Sequence, residues 1–348
     1  MAAGTEIKRE NKKQLISIII IAYKRKEFIL EAIKSVINQD KGPYEKEIIV
    51  VKNFSDHEID NFIDESCDRN ILSKNDGIGA KISEAIDVAK GDILTFLEDD
   101  DFFHEGKLNL VAKVFLEHKN MLYFHNSNKI IDHNGKAIEK DVYPEANKNF
   151  VIDMNILSLR KISSIRKKPY LGLSSTSING GFGRSIRNQL QDINIAVDFF
   201  IFFISLSSEG IMFLSTEKLT SYRVHNSDSN FGGDFNTYLN KKIEHNSKLT
   251  VELHVIENKI NKKKVREIVA SDRSYMNLFI EIVKKHRKQQ VYLDSKNCLL
   301  FFLRSWDIKF LKRGVEGLTY LLSPVQMNKI YMKNIYKDYE RLKNIVNR

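Results

Sequence analysis

The sequence predicts a mainly parallel α/β sheet flanked by helices, followed by a basic, all-helical extension. Three observations carry this reading. Leu15–Ala22 (LISIIIIA), Glu47–Val51 (EIIVV) and Asp92–Leu97 (DILTFL) are short runs rich in β-branched residues, with little polar alternation. Strands buried on both faces of a parallel sheet read this way. Segments with helical spacing separate them, and a strand–helix–strand order builds parallel sheets through right-handed crossovers. From about residue 237 only helical spacing remains, over 237–258, 263–289, 294–304, 307–322 and 325–346.

The elements follow in order. After the first strand, Glu27–Asn38 carries Phe28, Ile29, Ala32, Ile33, Val36 and Ile37 at helical spacing, and Gly42-Pro43 breaks it. Ile59–Asp68 reads as a short helix and Asn70–Lys74 as a short strand. The loop Asn75-Asp76-Gly77-Ile78-Gly79 opens a helix over Ala80–Ala89, which Lys90-Gly91 ends. Met121–Ile131 and Ala137–Val142 read as strands around a His133-Asn134-Gly135 turn. Lys161–Lys168 (KISSIRKK) is a basic loop, and Leu173–Arg187 is Ser- and Gly-rich with no clear period. Asp198–Ser208 contains FFIFFISL, apolar all round, as a buried helix is. Met212–Leu214 and Lys218–Val224 are two short strands. The pattern changes near Asp228–Asp234. This divides the chain into a tail (1–14), an α/β domain (15–233) and a basic helical region (234–348).

Composition bounds the function. With 348 residues and 42% hydrophobic content the chain can bury a substantial core. Only 4 prolines and 16 glycines exclude collagen-like and Pro/Gly-rich disordered chains. Cys67 and Cys298 form no metal spacing and no disulfide framework, and the histidines are scattered, so no zinc signature is present. No run of 18 apolar residues suggests a spanning helix, and the N-terminal MAAGTEIKRENKKQ lacks an apolar signal core. The expected compartment is the cytoplasm.

The formal charge of +10 is unevenly placed: residues 1–240 carry −3 and residues 241–348 carry +13. Such asymmetry fits a module that meets an anionic surface, or a lysine-rich solvated helical face. Within it, Leu299–Leu303 (LLFFL) with Arg304, Trp306, Phe310 and Leu311 suits a membrane interface. The other reading is helices packed on the α/β domain, with Trp306 buried. Nucleic acid is not an expected partner, since no zinc knuckle, RRM or helix-turn-helix signature occurs.

The strongest local signal is Glu98-Asp99-Asp100-Asp101, directly after a buried strand. Four adjacent carboxylates do not all ionise cheaply without a counter-charge. A hard divalent cation would supply one, and Mg²⁺ commonly takes one or two carboxylates plus substrate phosphates. A solvated acidic turn is the alternative. In parallel sheets ligands bind beyond the carboxyl ends of strands, so Tyr23–Lys26, Lys52–Asp56 and Glu98–Asp101 are expected to border one cleft.

At these residues the first half resembles a family 2, GT-A fold glycosyltransferase. The match runs through Ile21-Ala22-Tyr23-Lys24-Arg25, Ser35-Val36-Ile37-Asn38-Gln39 and Glu47–Val51 followed by Lys52-Asn53-Phe54-Ser55. It continues through Asn75-Asp76-Gly77, Ala89-Lys90-Gly91 and Glu98–Asp101 with Lys107-Leu108. A weaker likeness extends to Val197-Asp198 before FFIFFISLSSEG and to Tyr222-Arg223-Val224-His225. The basic helical region matches no family pattern.

The resemblance implies an inverting transferase that takes a sugar from a nucleoside diphosphate, UDP in preference to GDP, to a hydroxyl of a glycan or lipid-linked acceptor. It implies Mn²⁺ or Mg²⁺ as cofactor, held by Asp100 with His225 as a further ligand or a phosphate donor. Ala22, Tyr23, Arg25, Asn53, Lys81, Glu98 and Asp99 would hold the nucleotide-sugar. Asp198 would be the general base; a helix N-cap is its structural alternative. Lys81 stands near a helix start, where phosphate binds readily, or is a solvated helix lysine. His225 would otherwise be structural. A lipid-linked acceptor would bring the protein to the inner face of the membrane as a peripheral enzyme.

The chain also departs from the family pattern. Ile21 and Ala22 replace proline and threonine, Lys52 and Asn53 replace two aspartates, and Glu98 replaces the first acid of the D-x-D motif. One of the two replaced aspartates accepts a hydrogen bond from uracil in the family, and the Asn53 amide can still accept or donate one. These departures keep two rivals open. One is a nucleotidyltransferase, although Tyr23-Lys24-Arg25-Lys26 lacks the glycines of a triphosphate loop. The other is a non-catalytic scaffold of the same fold that binds an anionic surface.

Overall fold

The computed structural model describes residues 13–138, 148–161, 172–224, 233–285 and 288–346. His225, the Lys161–Lys168 loop beyond its first residue, Ala137–Val142 beyond residue 138 and the Asp228–Asp234 junction before residue 233 lie outside these.

The sheet is built on β1 (Gln14–Ala22), flanked by β2 (Tyr44–Lys52) and β4 (Ile93–Glu98), both parallel to it. β3 (Arg69–Leu72) extends the parallel half beyond β2. The β-branched runs are buried on both faces, as their composition requires. Ile19 and Ile21 point into one apolar cluster, while Ile16, Ile18, Ile20 and Ala22 point into the other, following the two-residue repeat of a strand. Helices α1 (Ile29–Ile37), α2 (His57–Ser66) and α4 (Lys107–Glu117) cover the second face. Helix α3 (Ile78–Val88) covers the first.

Beyond β4 the sheet becomes mixed. β8 (Thr176–Asn179) runs antiparallel to both β4 and β6 (Met121–Ile131), and β6 runs parallel to β9 (Ile211–Arg223). β5 (Phe102–Phe103) and β7 (Phe150–Asp153) each pair antiparallel with β9. The two strands expected at 212–214 and 218–224 are therefore one. The polar residues between them are absorbed by register shifts against His125–Asn128, so the ladder continues past a bulge. The unassigned stretch at 173–187 resolves into a 3₁₀ turn, β8 and helix α5 (Gly180–Leu190).

Helix α6 (Val197–Ser207) is buried almost throughout, as its all-round apolar sequence requires. Five helices complete the chain: α7 (Phe235–Lys259), α8 (Lys263–Lys284), α9 (Lys288–Ser305), α10 (Ile308–Leu322) and α11 (Pro324–Val346). Their apolar stripes continue the cluster of α3, α5 and α6, through Leu253, Ile256, Ile268, Phe301 and Phe310. The LLFFL segment divides accordingly. Phe301 is buried, whereas Leu300 and Leu303 face solvent. No described helix is long and apolar enough to cross a membrane.

Candidate active site

The residues that follow β1, β2 and β4 come together at one edge of the sheet, as expected for parallel strands. The Tyr23 N–H donates to Asp99 Oδ2 (3.1 Å), and the Lys24 N–H donates to Asn53 Oδ1 (3.0 Å). Lys24 has φ +57°, a left-handed conformation uncommon for a residue with a side chain. The Asn53 bond, with the Arg25 N–H donating to the Tyr23 carbonyl (2.7 Å), holds the loop in that shape.

The acidic run is compensated largely from within the protein. Arg25 bridges Asp99 (2.7 Å) and Asp100 (2.8 Å) through its two terminal nitrogens. Burial still raises Asp99 to about 6 against the pull of Arg25. Asp101 is buried and accepts the Arg223 N–H (3.0 Å), and its charge is felt by buried Lys107. Glu98 is pushed well above the usual carboxylate range, first by burial and then by the charges of Asp100, Asp101, Asp198 and Asp99. The charge of Asp198 thus reaches the acidic run, although Asp198 lies 97 positions after Asp101 in sequence.

Asp198 lies in the first turn of α6 and is not its cap; that position is Ala196. Its carboxylate accepts N–H groups of Phe199 (2.8 Å) and Gly172, which favour the charged form. Burial outweighs them and raises it to about 6. A carboxylate so placed is charged at neutral pH yet basic enough to take a proton.

Two further expected residues, Ala22 and Lys81, lie beside the same strand ends. Ala22 closes β1, fully buried. Lys81 is also fully buried, donates to the Asp76 carbonyl (2.9 Å) and sits 4.6 Å from the Tyr23 ring centre. Burial lowers its pKa, opposed by Asp76, Asp99 and Glu84. Lys52 turns away from the cleft to Asp60 (2.6 Å) and the Phe54 carbonyl (3.0 Å).

The donor set fits a divalent cation shared with a diphosphate. Burial and the charges of Asp100, Asp101, Asp198 and Asp99 make an ionised Glu98 costly, and a bound cation would offset that cost. No group of three or more His, Cys, Asp or Glu side chains among the described residues could hold a metal ion alone. A cation here would therefore need substrate oxygens to complete its shell.

The glycosyl transferase family 2 profile matches residues 17–170. That segment belongs to glycosyl transferase family 2. It is similar to an uncharacterized glycosyltransferase of Rickettsia bellii, 33% identical over 129 residues, which are 36% of this chain and 18% of that protein. It is also similar to the putative colanic acid biosynthesis glycosyl transferase WcaA of Escherichia coli K12, 31% identical over 115 residues, 32% of this chain and 40% of that protein. The chain thus aligns with less than half the length of these relatives. The fold extends the likeness further. TarS of S. aureus (residues 1–349), crystallised with UDP, superposes with a TM-score of 0.56 at 13% identity over 92% of this chain and 91% of that one. The same TarS segment with UDP-GlcNAc gives 0.54 at 12% identity over 94% and 91%. The family 2 domain therefore has the GT-A fold, and the superposition runs on through the helical region.

Sequence reasoning missed several residues that shape this site. Arg223 was noticed only as part of a motif. Its side chain donates to the carbonyls of Asp100 (2.9 Å) and His133 (2.7 Å) and pairs with Glu31, which ties the end of β9 to the acidic turn. The Ser174 hydroxyl accepts the Glu98 N–H (3.0 Å), and Lys107 Nζ donates to the Ser174 carbonyl (2.5 Å) and the Thr220 hydroxyl (2.9 Å). Glu252 on α7 accepts N–H groups of Asn194 (3.0 Å), Ile195 (3.0 Å) and Ala196 (2.8 Å), and so anchors the entry to α6. Nothing in the local sequence around Glu252 marks it for this task.

Proposed function

We propose that the protein is an inverting, metal-dependent glycosyltransferase that moves a sugar from a nucleoside diphosphate, UDP in preference to GDP, to a hydroxyl of a glycan or lipid-linked acceptor. The observation that carries this reading is a half-buried Asp198, its carboxyl raised to about 6, whose charge acts on the Glu98–Asp101 turn at the strand ends. Family membership of residues 17–170 supports the class of reaction. Structures of TarS with UDP and UDP-GlcNAc support the choice of donor.

In this mechanism Ala22, Tyr23, Arg25, Asn53 and Lys81 border the nucleotide, with Glu98 and Asp99 toward its sugar side. Asp198 accepts the proton of the acceptor hydroxyl. The oxygen attacks the anomeric carbon as the bond to the diphosphate oxygen breaks, and the nucleoside diphosphate leaves from the opposite face. One inversion results. Asp100, with His225 as the further expected ligand, would hold Mn²⁺ or Mg²⁺, which would supply Lewis-acid stabilisation to the departing diphosphate.

Residues 15–233 form the catalytic unit in this reading, and 234–348 form a basic helical region that meets an anionic membrane from the cytoplasmic side. Trp306 is 66% exposed and Leu303 67%, which favours surface contact there over the packed alternative. The deciding experiment is incubation of the full chain with UDP-sugars and Mn²⁺ or Mg²⁺. Slow, metal-dependent release of UDP supports the proposal. No release across a panel of UDP- and GDP-sugars refutes it and favours the non-catalytic scaffold.

A further inference from the structure

The nucleotide end of the cleft contains a carboxylate to which the mechanism assigns no task. After β2, Lys52 is turned into the protein and Asn53 is engaged on both sides: it accepts from the Lys24 N–H and its Nδ2 donates to Asp76 Oδ1 (2.9 Å). Neither residue brings a negative charge to the cleft. Asp76 does. It lies in the loop between β3 and α3, where its neighbour Asn75 instead faces Glu84 (2.5 Å). The Asp76 side chain is 72% exposed, with Lys24 Nζ 4.0 Å away. Its own carbonyl receives Lys81, whose ammonium lies against the half-exposed Tyr23 ring. An exposed carboxylate, oriented by an amide, thus stands beside an exposed aromatic ring and two lysines.

We propose that Asp76, oriented by Asn53, selects the base of the donor nucleotide by accepting the ring N3–H of uracil, with Tyr23 as the neighbouring aromatic surface. This deepens the nucleotide-sugar reading and rests on it. The chemistry discriminates by the sign of one ring position. Uracil presents an N–H at N3 and guanine one at N1, and a carboxylate accepts either. Cytosine at N3 and adenine at N1 present lone pairs, which a carboxylate repels. One Asp76 oxygen is already engaged by Asn53. The other suits the single donor of uracil better than the two adjacent donors of guanine, which call for both oxygens. A site built to hydrogen-bond a substrate N–H rejects analogues that lack it far more strongly than an apolar pocket rejects a misfit.

The test is isothermal titration of the full chain with UDP, GDP, CDP, ADP and N3-methyl-UDP. The wild type is expected to bind UDP best, and methylation of N3 is expected to weaken binding about tenfold or more. Asp76→Ala should lower UDP affinity by a similar factor, spare CDP, and make UDP and N3-methyl-UDP equivalent. Asp76→Asn, whose amide can donate to a ring acceptor, should improve CDP. The exposed loop position lets both variants fold, and an unchanged melting temperature checks this. An unchanged UDP-to-CDP ratio in Asp76→Ala overturns the proposal, as does an equal loss for every base, which would mean loop support only. A wild-type chain that binds none of the five overturns the nucleotide reading itself and this inference with it.

Discussion

Replacing Asp198 with asparagine separates catalysis from stability in opposite directions. The carboxyl rises from the ordinary 3.8 to about 6 in the folded protein because burial outweighs its backbone hydrogen bonds. As a general base it works only when ionised, so kcat/KM should fall about tenfold per pH unit below 6 and level off above 7. Asp198→Asn removes the base and should cost about 10²–10⁴ in transfer at pH 7.5. The same residue burdens the fold. Between 3.8 and 6 the folded chain holds a proton that the unfolded chain has released, so this group makes stability fall as pH rises through that window. Above pH 6 the cost is complete, about 2 kcal/mol once its residual solvent contact is allowed for. The asparagine variant should therefore melt at a higher temperature than wild type at pH 7.5, and should lose that advantage near pH 4. The assay is UDP release across pH 5–8 with melting curves at both pH values. A variant that transfers sugar at near wild-type rate, or a wild-type profile flat from pH 5 to 7, refutes the assignment.

Three further outcomes follow from the geometry. Asp100→Asn should abolish metal-dependent nucleotide binding and turnover; Mn²⁺-dependent activity that persists unchanged in this variant would remove Asp100 from the metal site. Glu252→Ala leaves the buried Ala196 N–H and its neighbours without their acceptor, which should cost about 2 kcal/mol or more and lower kcat through Asp198; a variant with wild-type melting and rate would show the anchor to be dispensable. The basic helical region should bind anionic vesicles at low salt, each basic residue near the surface adding about 1 kcal/mol, and release them at high salt. A blue shift of Trp306 emission would accompany contact, and protein left in the supernatant at low salt would exclude it.

The parallel half of the sheet was legible because β1, β2 and β4 are buried on both faces and contain few polar residues. β8 was not, because Thr176-Ser177-Ile178-Asn179 has one apolar side chain. Its place between β4 and β6 is secured by polar pairing instead, with the Thr95 hydroxyl donating to Ser177 (2.8 Å). The next residue, Gly180, is needed for proximity: a Cβ there would lie 2.1 Å from the Gly91 carbonyl oxygen. Neither feature leaves a periodic trace in the sequence. β9 was divided in two because Ser215-Thr216-Glu217 looks like a turn, and only its partner strand shows that a bulge absorbs it. The cleft was legible wherever its residues close a strand. The supports of Asp198 come instead from distant segments, through Gly172 and Glu252, and contact at that range is a property of the fold alone.

In the proposed reaction the helical region supports the helix that carries Asp198, as well as bearing the basic excess. Glu252 reaches from α7 to three consecutive N–H groups ahead of α6, and α6 carries Asp198 two residues after the last of them. The same helices share one apolar cluster with α3, α5 and α6. Trp306 connects α9 and α10 with φ +58°, a conformation that is rare for a bulky residue, and its exposed indole has the Arg160 guanidinium over it at 5.4 Å. A surface that engages Trp306 would therefore act on a helix bundle continuous with the helix that carries Asp198. Activity measured with vesicles of increasing anionic content tests that continuity. Rate should rise with bound fraction if engagement steadies α6, and stay constant if the bundle serves only to dock.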